Sequence, residues 1–432
     1  MRRAIFFSVL CAGFLPCQAV SADTLRESVL YALESHPSIE GAKAQHQVAE
    51  YSKHSERSQY YPEISATITA GRIFQDNATS RGLSVTRGSA YSGYGETNIS
   101  LRQMIFDGME TSHRVSAAEA RYKSEGYILQ DTQGVIISRV ARNYIELIRL
   151  REGLGLLNVQ EKKIQKYLGR FDILVNEGAV DEAELQQARD VLMIVQGLVA
   201  DYEGRLSSAH ASYHEVVGKV PDVTLEWPQK IQGNINDNVD DVLSAVKQKH
   251  PGLMSARMDT NAAQHDLKAE HGKMYPDISG ELSFLQSNKD EVIGGKNEDR
   301  RAVVKMSWGF STGGRELSEF KKKQSEYDIA AHRLEEVERQ IENDVRQVYA
   351  EYGRFQRKVK LSEDRVDLNK KLVDTYRSQF EGARISLLNL MRAENQLFRA
   401  ELEHNDNKFY LLSSQYDVLA SLGELKNVIL SE

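Results

Sequence analysis

The chain has 432 residues, 41% of them hydrophobic, and its 55 basic and 62 acidic side chains give a formal charge of −7. That acidic balance argues against a nucleic-acid partner. After the N-terminal leader no apolar run reaches the ~18 residues a membrane-spanning helix needs, which leaves a soluble periplasmic protein, a secreted one, or a membrane β-barrel whose strands signal weakly.

Residues 1–22 read as a secretory signal peptide. Arg2 and Arg3 supply the basic start, Ala4 to Leu15 the apolar core, and Val20-Ser21-Ala22 the small-residue cleavage site. A lipoprotein signal needs a small residue before its cysteine, but Cys11 follows Leu10 and Cys17 follows Pro16. Both cysteines lie in this leader, so the mature chain carries no thiol, which suits an oxidising compartment. Losing Arg2 and Arg3 takes the formal charge to −9.

Residues 24–59 have a helical pattern, with Thr24 placed to cap it and Pro62 to stop it. Strict alternation follows: Ile64, Ala66, Ile68 and Ala70 on one face, Ser65, Thr67 and Thr69 on the other. After a Gly/Ser-rich stretch from Gly71 to Gly95, alternation resumes with Ile99, Leu101 and Ile105. The spacing predicts a very long helix over residues 109–176, with Ile137, Val140, Tyr144 and Leu147 at coiled-coil steps. A shorter helical stretch, 180–215, leads to a Pro/Trp linker at 219–237.

The second half repeats the first. Helical 238–274 is followed by alternation at Ile278, Leu282 and Phe284, then at Val304, Met306, Trp308 and Phe310. Residues 314–380 form a second long helical pattern, with Ile341, Val345, Val348, Tyr352, Phe355 and Val359 stepping by four and three. His36-Pro37 returns as His250-Pro251 and Tyr61-Pro62 as Tyr275-Pro276, both 214 residues on; Glu177-Gly178-Ala179 returns as Glu381-Gly382-Ala383. A repeat this long is a duplicated half-domain rather than a solenoid unit. The chain therefore divides into repeats at 23–218 and 238–425 around the 219–237 linker, with a tail at 426–432. Each half carries two strands of about 10 residues, the length of a tilted barrel strand. The stretches 180–215 and 238–274 can stack end to end to match one long helix.

This pattern resembles the TolC-type outer-membrane efflux protein family over essentially the whole mature chain. The resemblance rests on the duplicated helix–strand–strand–helix halves, the two Tyr-Pro strand entries and Phe106-Asp107-Gly108. Further marks are Gly178-Ala179-Val180 with Gln187-Ala188-Arg189, the run from Gly382 to Leu388, and the Tyr416, Leu419, Leu422-Gly423 tail. It implies an α+β membrane protein: a homotrimer with a 12-stranded β-barrel in outer-membrane lipid, continued by a 12-helix α-barrel through the periplasm. Ile64, Leu101, Leu282 and Trp308 would face lipid, and Ser65, Arg102, Glu281 and Lys305 the lumen.

The resemblance also implies that Gly178, Ala179, Gly382 and Ala383 dock a periplasmic adaptor protein. Arg384 and Glu184 would hold the periplasmic gate closed. Some members carry an aspartate pair after the gate arginine; here, allowing one inserted residue, those positions read Asn389 and Arg392, so cation selectivity does not carry over.

No catalytic motif stands out: no HExxH, no phosphate-cradling Gly-Lys-Ser/Thr and no nucleophile elbow. His210 and His214 share a helix face but lack a third metal ligand, so no metal or cofactor is expected. The reading is a passive conduit driven by an inner-membrane transporter, of ABC type for polypeptide export by type I secretion. Small-molecule efflux is the alternative. A soluble coiled-coil scaffold leaves the four symmetric alternating segments unexplained.

Overall fold

The computed structural model describes residues 24–75, 90–222, 224–228, 238–289, 295–309, 311–382 and 384–430. The expected leader, most of the 219–237 linker, Phe310 and Ala383 lie outside these residues.

Each half opens with a short helix that breaks at a histidine. Helix α1 spans Leu25–Ser35 and α2 Pro37–Ser58; α5 spans Val239–Lys249 and α6 Pro251–Gly272. His36 and His250 close the first helix of each pair in extended conformation, and their Nδ1 atoms accept from the amides of Ser38 and Gly252, each at 3.1 Å. The prolines that follow occupy the first helical position, where a missing N–H leaves no bond unmade. The repeated His-Pro pairs thus divide a predicted continuous helix in two. Thr24 caps α1 in a reciprocal capping box with Glu27.

Strands β1 (Glu63–Gln75), β2 (Ala90–Phe106), β3 (Asp277–Lys289) and β4 (Lys296–Ser307) form one antiparallel sheet in the order β1-β2-β3-β4. They run 13, 17, 13 and 12 residues, longer than the ten that alternation indicates. The extra length lies at the ends away from the helices, over 71–75, 90–98, 285–289 and 296–301, where the strands pair without an apolar alternation to mark them.

From the sheet descend two helices of 67 residues each, α3 (Glu110–Asn176) and α7 (Arg315–Glu381), about 100 Å long. Each returns as a shorter helix, α4 (Glu182–Val217) or α8 (Leu387–Ser421), and α9 (Leu425–Leu430) follows. At the top of α3, Gly108 crosses Gly272 so closely that a Cβ on Gly108 would lie 2.2 Å from the Gly272 carbonyl. Side chains are excluded from that crossing. Among the described residues no helix is long and apolar enough to cross a membrane.

The stacking differs from the expected one. Helix α4 does not stack end to end on the helices of 238–274; its end at Gly218 lies beside Tyr31 and Ser35 of α1, while Gly423 after α8 lies beside Pro251 of α6. Each half completes its own column. The core is richest along α3, where Ile137, Val140, Tyr144 and Leu147 are fully buried. Along α7 the matching seam is thinner: Val345 and Tyr349 pack on Val242, Leu243 and Val246.

Candidate channel-forming surfaces

Directly paired residues of an antiparallel sheet share a face. The register sets Ile64, Leu101, Leu282 and Ala302 in one cross-strand row, and Ala66, Ile99, Phe284 and Arg300 in the next row of that face. Ile64 is 70% exposed and Leu282 53%. Val304 and Met306, both exposed, extend this apolar face, while Leu101 and Phe284 within it are half-buried. Trp308 lies one residue beyond β4, exposed, its indole donating to the Met274 carbonyl at 3.2 Å.

The opposite face is polar. Ser65, Ser100, Ser283 and Arg301 form one row, and Glu63, Arg102, Glu281 and the apolar Val303 another. Glu281 stands 3.9 Å from Arg102 and 4.0 Å from Lys305, bridging three strands. Among the described residues both outer strands, β1 and β4, keep one edge unpaired. A long strand edge beside an apolar face is a site for pairing with another chain.

The far ends of the long helices hold the other expected residues. Gly178 ends α3 at φ 71°, and the Ala179 amide reaches back to the Leu174 carbonyl at 2.8 Å. Asp181 then caps α4 through the Ala183 amide. The α7 turn is built otherwise: Gly382 has φ −82°, conformation open to any residue, and Ser386 caps α8 through the Asn389 amide.

Within the chain Arg384 and Glu184 do not meet. The Arg384 side chain is exposed, while Glu184 Oε2 is buried with no hydrogen-bond partner. Arg392 donates to Gln187, joining α8 to α4, and the Asn389 side chain is exposed. His210 and His214 gather no third ligand, and no group of three or more His, Cys, Asp or Glu suited to a metal occurs among the described residues.

Two polar knots between the helices were not legible in the sequence. Glu394 of α8, 3% exposed, accepts from Tyr167 Oη at 2.6 Å and lies 2.8 Å from Lys163 Nζ and 3.1 Å from Arg377 Nη2. It thereby ties α8 to α3 and α7. Burial works to raise its pKa, but the three donors overcome burial and hold it below the ordinary value. The Tyr167 hydroxyl is pushed up by burial and by this carboxylate.

Higher up, Arg149 is 1% exposed and forks onto Glu146 at 2.6 and 2.7 Å while reaching Asp406 at 2.5 Å. Tyr202 of α4 donates to the same Asp406 at 3.1 Å. Its pKa is raised to about 12 by burial and by Asp406. Nothing local marks these residues: each is one charge among many on a helix, and its partner lies up to 257 residues away.

Residues 30–219 and 242–424 match the family profile for outer membrane efflux proteins. Among curated relatives, the outer membrane efflux protein BepC of Brucella suis is 22% identical over 99% of this chain and 90% of its own length. The outer membrane protein TolC of Vibrio cholerae is 21% identical over 95% and 91%. The alkaline protease secretion protein AprF of Pseudomonas aeruginosa is 20% identical over 91% and 82%. Among solved structures, a Pseudomonas aeruginosa membrane protein superposes with TM-score 0.81 at 16% identity, covering 92% of both chains. The Vibrio cholerae outer membrane protein VceC gives 0.80 at 16% identity over 92% and 96%. The chain thus belongs to the outer membrane efflux protein family, seated in the bacterial outer membrane with its helices as a long periplasmic extension.

Proposed function

We propose that the chain is the outer-membrane channel-tunnel of a type I secretion system, passing polypeptide out of the cell. The observation that carries this reading is a four-stranded sheet with two open edges, one apolar and one polar face, joined to two 67-residue helices. Four strands cannot close on themselves, and lipid tolerates no open edge. Three copies would close a 12-stranded barrel, apolar face to lipid and Glu281 with its two cations to the lumen. Twelve helical columns would continue it as the periplasmic tunnel. The two repeats, 23–218 and 238–425, supply equivalent staves to that wall.

In this reading Gly178, Ala179, Gly382 and Ala383 at the tips dock a periplasmic adaptor, which links the tunnel to an inner-membrane ABC transporter. Exposed Arg384 and Glu184, whose Oε2 has no hydrogen-bond partner within the chain, meet between adjacent copies and bias the entrance closed. Asn389 and Arg392 line it without an acidic ring. The clamp at Glu394 holds each α7–α8 hairpin against α3.

Secretion is favoured by the lack of a lipoprotein cysteine and by the 380–398 stretch, which resembles secretion-type members. The name of the relative AprF agrees. Tripartite small-molecule efflux is the second reading, favoured by the family description and by BepC. Gene deletion separates them: lost export of a large polypeptide supports secretion, while unchanged export with raised drug sensitivity supports efflux.

The conduit itself is tested by single-channel conductance in a planar bilayer, comparing wild type with Arg384→Ala. A small conductance that rises in the variant supports pore and gate. A pore indifferent to the change removes the gate, and no current removes the channel.

A further inference from the structure

The apolar face of the sheet changes character along the strands. Along β4 its positions run Met306, Val304 and Ala302, then Arg300, Glu298 and Lys296. On β1 the same face runs from Ile64 through Ala70 to Arg72. That end, where β1 stops at Gln75 and β4 starts at Lys296, lies away from the helices. With the helices in the periplasm, that end stands at the outer leaflet, where the headgroups are.

Arg300 lies across Phe284, its guanidinium carbon 5.6 Å from the ring centroid. Beside them runs a shallow groove of about 410 Å³ walled by Ile99, Leu101, Leu282 and Ala302. Four residues further along β4, roughly 13 Å at strand rise, is Lys296, exposed and without an ion pair to any described residue. Glu298 is the one carboxylate among the described strand residues of this face, and it pairs with Arg300 at 2.6 Å. Both partners are exposed, and such a pair holds its cation weakly. A polyanion presenting several oxygens competes with one carboxylate.

We propose that Arg300 and Lys296 bind the phosphates of an anionic glycolipid of the outer leaflet, while the groove beside Phe284 takes one of its acyl chains. Cationic heads on a lipid-facing strand reach out to the interface while their stems cover apolar surface. The span from Arg300 to Lys296 suits a headgroup that carries two phosphates. The proposal rests on the reading that this face meets lipid.

The test uses the full-length protein in nanodiscs of neutral phosphatidylcholine, with lipid A bearing two phosphates, one or none added as the probe. Retention is read by native mass spectrometry. Wild type should prefer the doubly phosphorylated form, and Arg300→Gln and Lys296→Gln should each weaken its retention by roughly fivefold. Arg300→Lys should restore most of the loss. Equal retention of all three lipids, or glutamine variants that match wild type, would overturn the proposal.

A Trp227→Phe background leaves Trp308 as the sole tryptophan. Quenching of Trp308 by brominated acyl chains verifies that this face still meets lipid in every variant. Absence of quenching in the wild-type background would overturn the lipid-face reading itself; quenching without phosphate preference would overturn the phosphate site alone.

Discussion

Tyr167 on α3 donates its hydroxyl proton to Glu394 on α8 at 2.6 Å, across 227 residues of sequence. A single short bond to a buried carboxylate therefore fastens the returning helix of the second half to the long helix of the first. Lys163 and Arg377 complete the cage. Because Glu394 is ionised and buried, each donor it loses leaves charge less compensated.

Tyr167→Phe should lower stability by about 1.5–3 kcal/mol, the range for a hydrogen bond to a charged group. It should also raise single-channel conductance if the clamp restrains the entrance. Thermal unfolding in detergent and bilayer recordings read the two effects independently. An unchanged melting midpoint would show that the bond contributes nothing.

The same carboxylate gives a pH dependence of known sign. Its folded pKa is depressed, so its stabilising contribution is complete above the unfolded glutamate value, about 4.3, and disappears as pH falls through the folded value. Glu394→Gln should be less stable than wild type at pH 7, with the difference shrinking below about pH 4. A difference constant from pH 7 to pH 3 would exclude Glu394 as the titrating group.

The two tip glycines should behave differently on substitution. Gly178→Ala forces a Cβ into left-handed backbone at φ 71° and should lower stability by about 1–2 kcal/mol. Gly382→Ala, at φ −82° with its nearest neighbours 3.6 Å away, should be close to neutral. Equal losses at both sites would refute this account of the turns. An adaptor-binding assay with the two folded variants then reports on docking apart from stability.

Adjacent residues of β3 should show opposite tolerance to charge. Leu282→Arg places a cation on the face read as lipid-facing and should cost about 2–4 kcal/mol at mid-membrane depth. Ser283→Arg, on the polar face, should assemble normally and change conductance instead. Heat-modifiable mobility of the assembled barrel is the readout, and the reverse ranking would invert the sheet.

Gly153 faces the Tyr202 ring so closely that a Cβ there would lie 2.4 Å from a ring carbon. Gly153→Ala should destabilise by about 1–3 kcal/mol through overpacking. Tyr202→Leu should relieve that clash, so the double variant should lose less than the two single losses combined. Strict additivity by thermal unfolding would mean the two sites are uncoupled.

Much of the architecture was legible because it is written in short periods. Side chains alternate with period two along a strand, so Ile64, Ser65 and Ala66 declare their faces before any partner is known. The long helices show as unbroken coiled-coil steps between prolines. Elements failed to show where that period is silent. The ends of β1 and β2 away from the helices, 71–75 and 90–98, carry no apolar alternation, and the break at His36 depends on a ring nitrogen taking a cap that serine or aspartate usually takes.

The two-faced strands, the two long helices and their duplication follow from local periodicity and so are written in the residue order alone. Only the tertiary structure decided which helix ends meet, that Gly178 needs its glycine while Gly382 does not, and which charges are clamped. Those choices depend on contacts between residues hundreds of positions apart. In a chain that is 27% charged, Glu394 looks like any solvated carboxylate until Tyr167, Lys163 and Arg377 are brought around it.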